Sequence, residues 1–194
     1  MKLIIASNNK GKIREYKEIL EPIGFEVLSQ REAGINAEPD ETGTTFAENA
    51  KIKAQEIFRL ADCAVLADDS GLAVDALGGA PGVYSARYEG LADSDARSRR
   101  VLEQLEGVPE EKRGAQFICA IHLILDDGRE IAVQGSCKGS IGYGFKGNNG
   151  FGYDPIFMFG DRSFAELSAD EKNSVSHRAD ALAKLITELK GTDI

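Results

Sequence analysis

The apolar run Cys63-Ala64-Val65-Leu66-Ala67 passes directly into Asp68-Asp69-Ser70-Gly71. A short strand therefore delivers two adjacent carboxylates and a hydroxyl to its C-terminal end, the edge where an open α/β sheet keeps its active site. Two neighbouring Asp repel each other and lose solvation if even partly buried, so such a pair belongs beside a cation or in water. Successive side chains of an extended chain point to opposite faces, so only one of the two reaches any given ligand. A solvated Asp turn capping the strand is the plainer use of such a tetrad, and the rest of the chain decides against it.

Before this run, Lys2 to Ala6 reads as a short buried strand and Ser7-Asn8-Asn9-Lys10-Gly11-Lys12 as a polar turn. A helix follows with Ile13, Tyr16, Ile19 and Leu20 on one face, ended by Pro22 and Gly24. Phe25 to Leu28 predicts a second strand, and an acidic loop with Glu38, Asp40 and Glu41 comes next. Thr45 and Glu48 form a capping-box pattern opening a helix that runs to about Leu60. Phe46, Asn49, Ala50, Lys53 and Ile57 share a face of it, so Asn49 and Lys53 are able to look toward the acidic loop. The commoner role at such positions is the boundary between core and solvent, and neither is assigned to a site.

Beyond the Asp pair the pattern predicts an alternating strand at Leu72 to Leu77, a Gly-Gly-Ala-Pro-Gly turn, an extended Val83 to Tyr88 and an amphipathic helix from Asp93 to Leu105. Ala115 to Leu125 and Glu130 to Cys137 flank Asp126-Asp127-Gly128, which is a hairpin signal. His122, inside the first of these strands, is given no role. Glycine-rich sequence leads into Phe151-Gly152-Tyr153-Asp154-Pro155-Ile156-Phe157, and a helix from about Ser174 to Leu189 closes the chain.

The 194 residues fit a single domain over 1–194. A net charge of −9 argues against a nucleic-acid polymer as partner, because binding many phosphates needs a basic face. A free nucleotide needs only one or two local cations, a glycine-rich turn and a metal, which an acidic protein can supply. No apolar stretch approaches the roughly 20 residues of a membrane helix. Met1 to Ala6 is too short for a secretory leader, so the chain is expected to be cytoplasmic, with no membrane partner. Cys63, Cys119 and Cys137 lie on or beside strand-like runs without CxxC spacing and predict buried free thiols.

Three constellations carry chemistry. In the first, the Ser7 to Lys12 turn offers helix-start N–H groups, the Asn9 amide and the Lys12 ammonium to a phosphate chain. It is not a Walker A loop, since the first Gly is missing and Ile13 stands where Ser or Thr would bind magnesium. The second is the pooled acid Glu38, Asp40, Glu41, Asp68 and Asp69, whose hard oxygens favour Mg²⁺ or Mn²⁺. The third is Phe151-Gly152-Tyr153-Asp154 with Lys172 and Ser176-His177-Arg178, where a ring can stack on a base and polar groups can read its edge.

Taken in order, Ser7-x-Asn9-x-x-Lys12, Asp40-Glu41-Thr42-Gly43 before Phe46-Ala47-Glu48-Asn49-Ala50, Ala67-Asp68-Asp69-Ser70-Gly71-Leu72, Gly78 through Arg87, Gly150 through Pro155 and Ser176-His177-Arg178 resemble the successive motifs of the inosine triphosphate pyrophosphatase family. The likeness spans nearly the whole chain. Ser7 stands where that family often has Thr, and Asn8 where Gly is common.

The resemblance implies an α/β fold, an elongated mixed sheet flanked by helices with a cleft between two lobes. It also implies a homodimer and a Mg²⁺-dependent hydrolase. Its substrates would be deaminated purine nucleoside triphosphates such as ITP, dITP and XTP, cut to monophosphate and pyrophosphate. Carried onto this chain, Asp69 matches a proton acceptor and metal ligand, and Glu41 a further ligand. Lys12 stabilises triphosphate charge, and Asp68 supports the metal from behind. Ser7, Asn8, Asn9, Lys10, Gly11, Lys12 and Ser70 match phosphate and sugar contacts. Phe151, Gly152, Tyr153, Asp154, Lys172, His177 and Arg178 match the base pocket. A Maf-type nucleotide pyrophosphatase and a non-catalytic nucleotide-binding regulator are the alternatives.

Overall fold

The structure, a computed structural model, describes residues 1–191. In chain order its main elements are β1 (Lys2–Ile5), α1 (Lys10–Leu20), β2 (Glu26–Ser29), α2 (Phe46–Phe58), β3 (Ala64–Val74), α3 (Ser94–Gln104), β4 (Gly114–Ile124), β5 (Glu130–Ile141), β6 (Phe157–Phe159), β7 (Arg162–Ser163), α4 (Ala169–Val175) and α5 (His177–Gly191). The strands make one mixed sheet in the order β2-β1-β3-β4-β5-β6-β7. β1 is parallel to β2 and β3, whereas β5, β6 and β7 are successively antiparallel. Contacts divide the chain into two compact units. Unit 1 holds residues 1–69, 119–135 and those from 179 on; unit 2 holds 70–118 and 136–178.

In unit 1 the strand alternation sorts residues between two helical layers. Leu3, Ile5, Ala64 and Leu66 bury with Tyr16 and Leu20 of α1 and Ala181, Leu182 and Leu185 of α5. Ile4, Val65 and Ala67 bury with Ala54 and Ile57 of α2. A side-chain period of two produces this split, and it makes both faces of β1 and β3 apolar. All three cysteines are free and buried.

Two expectations for this unit are corrected. β3 does not end at Ala67: it runs unbroken through Asp68, Asp69 and Ser70 to Val74, joining the predicted strand at Leu72, whose expected continuation to Leu77 is instead a 3-10 turn over Asp75–Leu77. Its register with β1 stops at Leu66, opposite Ile5, and β4, its neighbour on the other side, sustains it further. α1 starts at Lys10 rather than after Lys12, because the Asn9 side chain caps it. The predicted Thr45–Glu48 capping box is present at the start of α2.

Unit 2 is built around Leu72, Val74, Val101, Leu105, Phe117, Ile141, Ile156, Phe157 and Phe164. Phe157 packs on both Phe117 and Phe164, with ring centroids 4.5 and 4.8 Å apart. Of the segment expected to be extended, Val83 to Tyr88, the first part lies in a 3-10 turn from Gly82, whereas Arg87 to Glu89 leave helical geometry and Tyr88 is extended. The Ser85 hydroxyl closes this turn by donating to the Gly82 carbonyl, and it accepts from the Leu72 amide. Gly71 permits the approach, since a Cβ there would come within 2.6 Å of the Gly82 oxygen. The final helix does not begin at Ser174. α4 and α5 are separate, divided by extended Ser176, and α4 opens on a Ser168–Glu171 capping box.

Candidate active site

The two aspartates continue the alternation of β3. Asp68 shares parity with Ala64 and Leu66 and so turns to the α1 layer, where its Oδ2 lies 3.0 Å from Lys12 Nζ and 3.8 Å from Cys119 Sγ. Asp69 shares parity with Val65 and Ala67 and turns to α2. There its Oδ2 accepts from Asn49 Nδ2 at 3.0 Å, and its Oδ1 lies 3.8 Å from Lys53 Nζ. Lys53 also donates to Glu41 Oε1 at 2.7 Å. Both aspartates are buried, 1% and 6% exposed, so their cations are what make the charges tolerable.

Burial pushes the Asp69 carboxyl above the usual range, with Lys53, the Asn49 hydrogen bond and Lys12 opposing the rise. Burial disfavours the Lys53 ammonium, but Asp68, Asp69 and Glu41 outweigh it and raise its pKa. Lys12 thus pairs with Asp68, and Lys53 with both Glu41 and Asp69. No group of three or more His, Cys, Asp or Glu side chains suited to a metal occurs among the described residues. Two carboxylate ligands nevertheless fit Mg²⁺, which takes one or two and leaves its other positions to water and substrate phosphates. Glu41 and Asp69 are two such carboxylates, both tied to Lys53. Glu38 and Asp40 of the pooled acid are exposed.

In the Ser7 to Lys12 segment, Asn9 Oδ1 accepts from the Gly11 and Lys12 amides at 2.9 and 3.1 Å, and Ser7 Oγ accepts from the Asn9 amide. Two of the helix-start N–H groups expected to face phosphate are thus already taken by the cap. Asn8 and Lys10 are exposed.

Unit 2 collects the remaining polar candidates. Asp154 Oδ2 accepts from Lys172 Nζ at 2.5 Å and from the Phe151 amide at 2.8 Å. Lys172 Nζ stands 4.7 Å from the Phe151 ring centroid. His177 stacks on Phe117 at 4.7 Å, and Arg178 Nη2 donates to Ser70 Oγ at 3.2 Å. Lys172, His177 and Arg178 are all buried. Tyr153 is different: its hydroxyl donates to the Ser85 carbonyl, burial raises its pKa, and its ring belongs to the core. Gly152 gives its carbonyl to the Ser98 hydroxyl.

Sequence reasoning left out Asn49 and Lys53, both of which contact Asp69. The signal was their shared face on α2. Side-chain spacing alone does not separate a site-facing residue from a boundary residue.

Residues 3–188 match the sequence profile of the Ham1 family. The chain belongs to the Ham1 family. Ham1 relatives named dITP/XTP pyrophosphatase include one from Bacillus licheniformis, 50% identical over 186 residues that span 94% of this chain and 95% of the relative. Another, from an Exiguobacterium species, is 52% identical over 192 residues and 97% of both chains. The solved HAM1 protein of Coxiella burnetii has a TM-score of 0.86 at 40% identity, covering 99% of this chain and 100% of that one. The Ham1 protein of Staphylococcus aureus has a TM-score of 0.85 at 39% identity, covering 98% and 99%. Family and fold class therefore agree with the ordered motifs.

Proposed function

We propose that this Ham1 chain hydrolyses deaminated purine nucleoside triphosphates, ITP, dITP and XTP, to the monophosphate and pyrophosphate, with Mg²⁺ held by Glu41 and Asp69. The observation that carries the reading is the pairing of Glu41 and the buried Asp68 and Asp69 with Lys12 and Lys53. The names of relatives about half identical over nearly the whole chain support the substrate class. When bound, the ion neutralises triphosphate charge and acidifies water.

The chain's own groups do the rest. Asp69 takes a proton from water attacking the α-phosphorus, for which a carboxyl raised by burial is a stronger base than an ordinary one. The bond from the α-phosphorus to its bridging oxygen breaks, and pyrophosphate leaves. Lys12 and Lys53 stabilise the charge that builds on the phosphate oxygens. Asp68 holds Lys12 in place. The Ser7 to Lys12 segment and Ser70 bind phosphate and sugar. Phe151 offers a ring to the base, while Lys172, His177 and Arg178 donate to its edge. The protein acts on the nucleotide pool as a homodimer, a reading taken from the family resemblance.

A panel of nucleoside triphosphates assayed with Mg²⁺ for pyrophosphate against orthophosphate release tests this. ITP, dITP and XTP should yield pyrophosphate far faster than ATP and GTP. Orthophosphate as the product, or equal rates across the panel, would refute it. No helix among the described residues is long and apolar enough to cross a membrane.

A further inference from the structure

Asn49 occupies the fourth position of α2, fully buried at 0% exposure. Asparagine is a poor helix-interior residue, and a buried primary amide is costly unless its hydrogen bonds are made. Here both ends are engaged. Oδ1 accepts from the Gly43 amide at 2.8 Å, and Nδ2 donates to Asp69 Oδ2 at 3.0 Å. The orientation follows from the partners: a backbone N–H only donates, so the oxygen must face Gly43, which leaves the NH₂ for the carboxylate.

Gly43 lies two residues beyond Glu41, on the loop whose Thr44 and Thr45 amides are held by Glu48. A Cβ at position 43 would stand 2.7 Å from Asn49 Oδ1, so this close approach requires glycine. One helical turn on, Lys53 bridges Glu41 and Asp69 themselves. The amide therefore links the backbone of the Glu41 loop to the side chain of Asp69. Other side chains of its size fail one end: an aspartate at this position would accept from Gly43 but repel Asp69, and a leucine would serve neither.

We infer that Asn49 is a positioning residue of the reaction, setting the rotamer of Asp69 and the approach of the Glu41 loop so that the two carboxylates meet a divalent cation at a fixed spacing. This rests on the reading that Glu41 and Asp69 are the metal ligands. Asn49 touches neither water nor substrate in this scheme and acts through Asp69.

The test is a double-mutant cycle with a binding readout. Asn49→Ala and Asn49→Asp should each lower kcat for ITP about tenfold to hundredfold, the usual scale for groups that orient metal ligands. KM should change by less than about threefold. In the Asp69→Asn background Asn49→Ala should cost clearly less, because the part of its route that runs through Asp69 is gone. Without nucleotide, the rise in Tm on adding millimolar Mn²⁺ should be smaller in both variants than in the unaltered protein. Asn49→Asp keeps the side-chain size and the Gly43 bond, so it carries the test if the alanine variant does not fold. An equal Asn49→Ala penalty in both backgrounds, or wild-type kcat and Mn²⁺ response in both single variants, overturns the inference. Failure of the underlying metal assignment looks different: Asp69→Asn and Glu41→Gln would then keep the full Mn²⁺ response, removing the inference with it.

Discussion

Each unit sets a lysine against a buried aspartate, yet the two settings are built differently. In unit 1, Glu41, Asp68 and Asp69 outnumber Lys12 and Lys53. In unit 2, Asp154 faces Lys172, with Arg178 and His177 buried nearby in the chain. The supports differ as well. Unit 1 takes its groups from adjacent positions of one strand, the helices on its two faces and the Glu41 loop, whereas unit 2 takes them from a loop and the adjoining helices α4 and α5. The proposed chemical step rests on groups fixed by strand parity, and the proposed discrimination on donors grouped around an aromatic ring.

The largest expected effect breaks the comparison on the side of unit 1. Asp69→Asn removes the base and a ligand without changing size, so turnover should fall by about two or more orders of magnitude, the scale of general-base loss. The ranking of substrates should stay as it was. Near-wild-type turnover would remove Asp69 from the chemistry.

Next in size is the loss of discrimination. Hypoxanthine and xanthine carry a 6-oxo group that adenine lacks, and neither has the 2-amino group of guanine. A base presenting an amino group to obligate donors leaves buried partners unpaired. Arg178→Ala should therefore lower the ITP-to-ATP ratio of kcat/KM by about tenfold, along with overall efficiency. Lys12→Ala should weaken all triphosphates alike. If the two variants change the ratio equally, the division of labour between the units is wrong.

The smallest effect offers a control matched across the units. Glu32 in unit 1 has its pKa lowered from 4.5 to about 2, first by the Ser29 amide and then by Lys17. Glu171 in unit 2 is lowered to about 2 as well, by Arg162 and the Ser168 amide. Both are depressed carboxylates, so the stability they contribute is complete above pH 4.5 and is lost as pH falls toward about 2. Glu32→Gln and Glu171→Gln should each flatten the acid limb of a urea-denaturation profile slightly. Such side chains are exposed, and an effect as large as that of a buried pair would mean the carboxylates are held more tightly than the geometry indicates.

Much of the fold was legible in the chain. Apolar alternation located β1 and the start of β3, Thr45 with Glu48 announced α2, and Asp126-Asp127-Gly128 marked the hairpin between β4 and β5. These signals are local: a strand period, a cap and a turn each lie within a few residues. The Ser168–Glu171 cap is an equally local signal and marks the start of the separate helix α4. The continuation of β3 past Ala67 was not legible, because what sustains it is β4, some fifty residues later in the chain.

For the site, the sequence by itself determined the residue types, their order and the opposite facing of Asp68 and Asp69, since a period of two allows nothing else. Only the tertiary structure decided which helix each aspartate meets: Lys12 of α1 for Asp68, and Asn49 and Lys53 of α2 for Asp69. It also decided that Asn9 caps α1 and that Tyr153 serves the core. Parity states that two side chains part company, whereas the partner on each face depends on which helix the chain packs there.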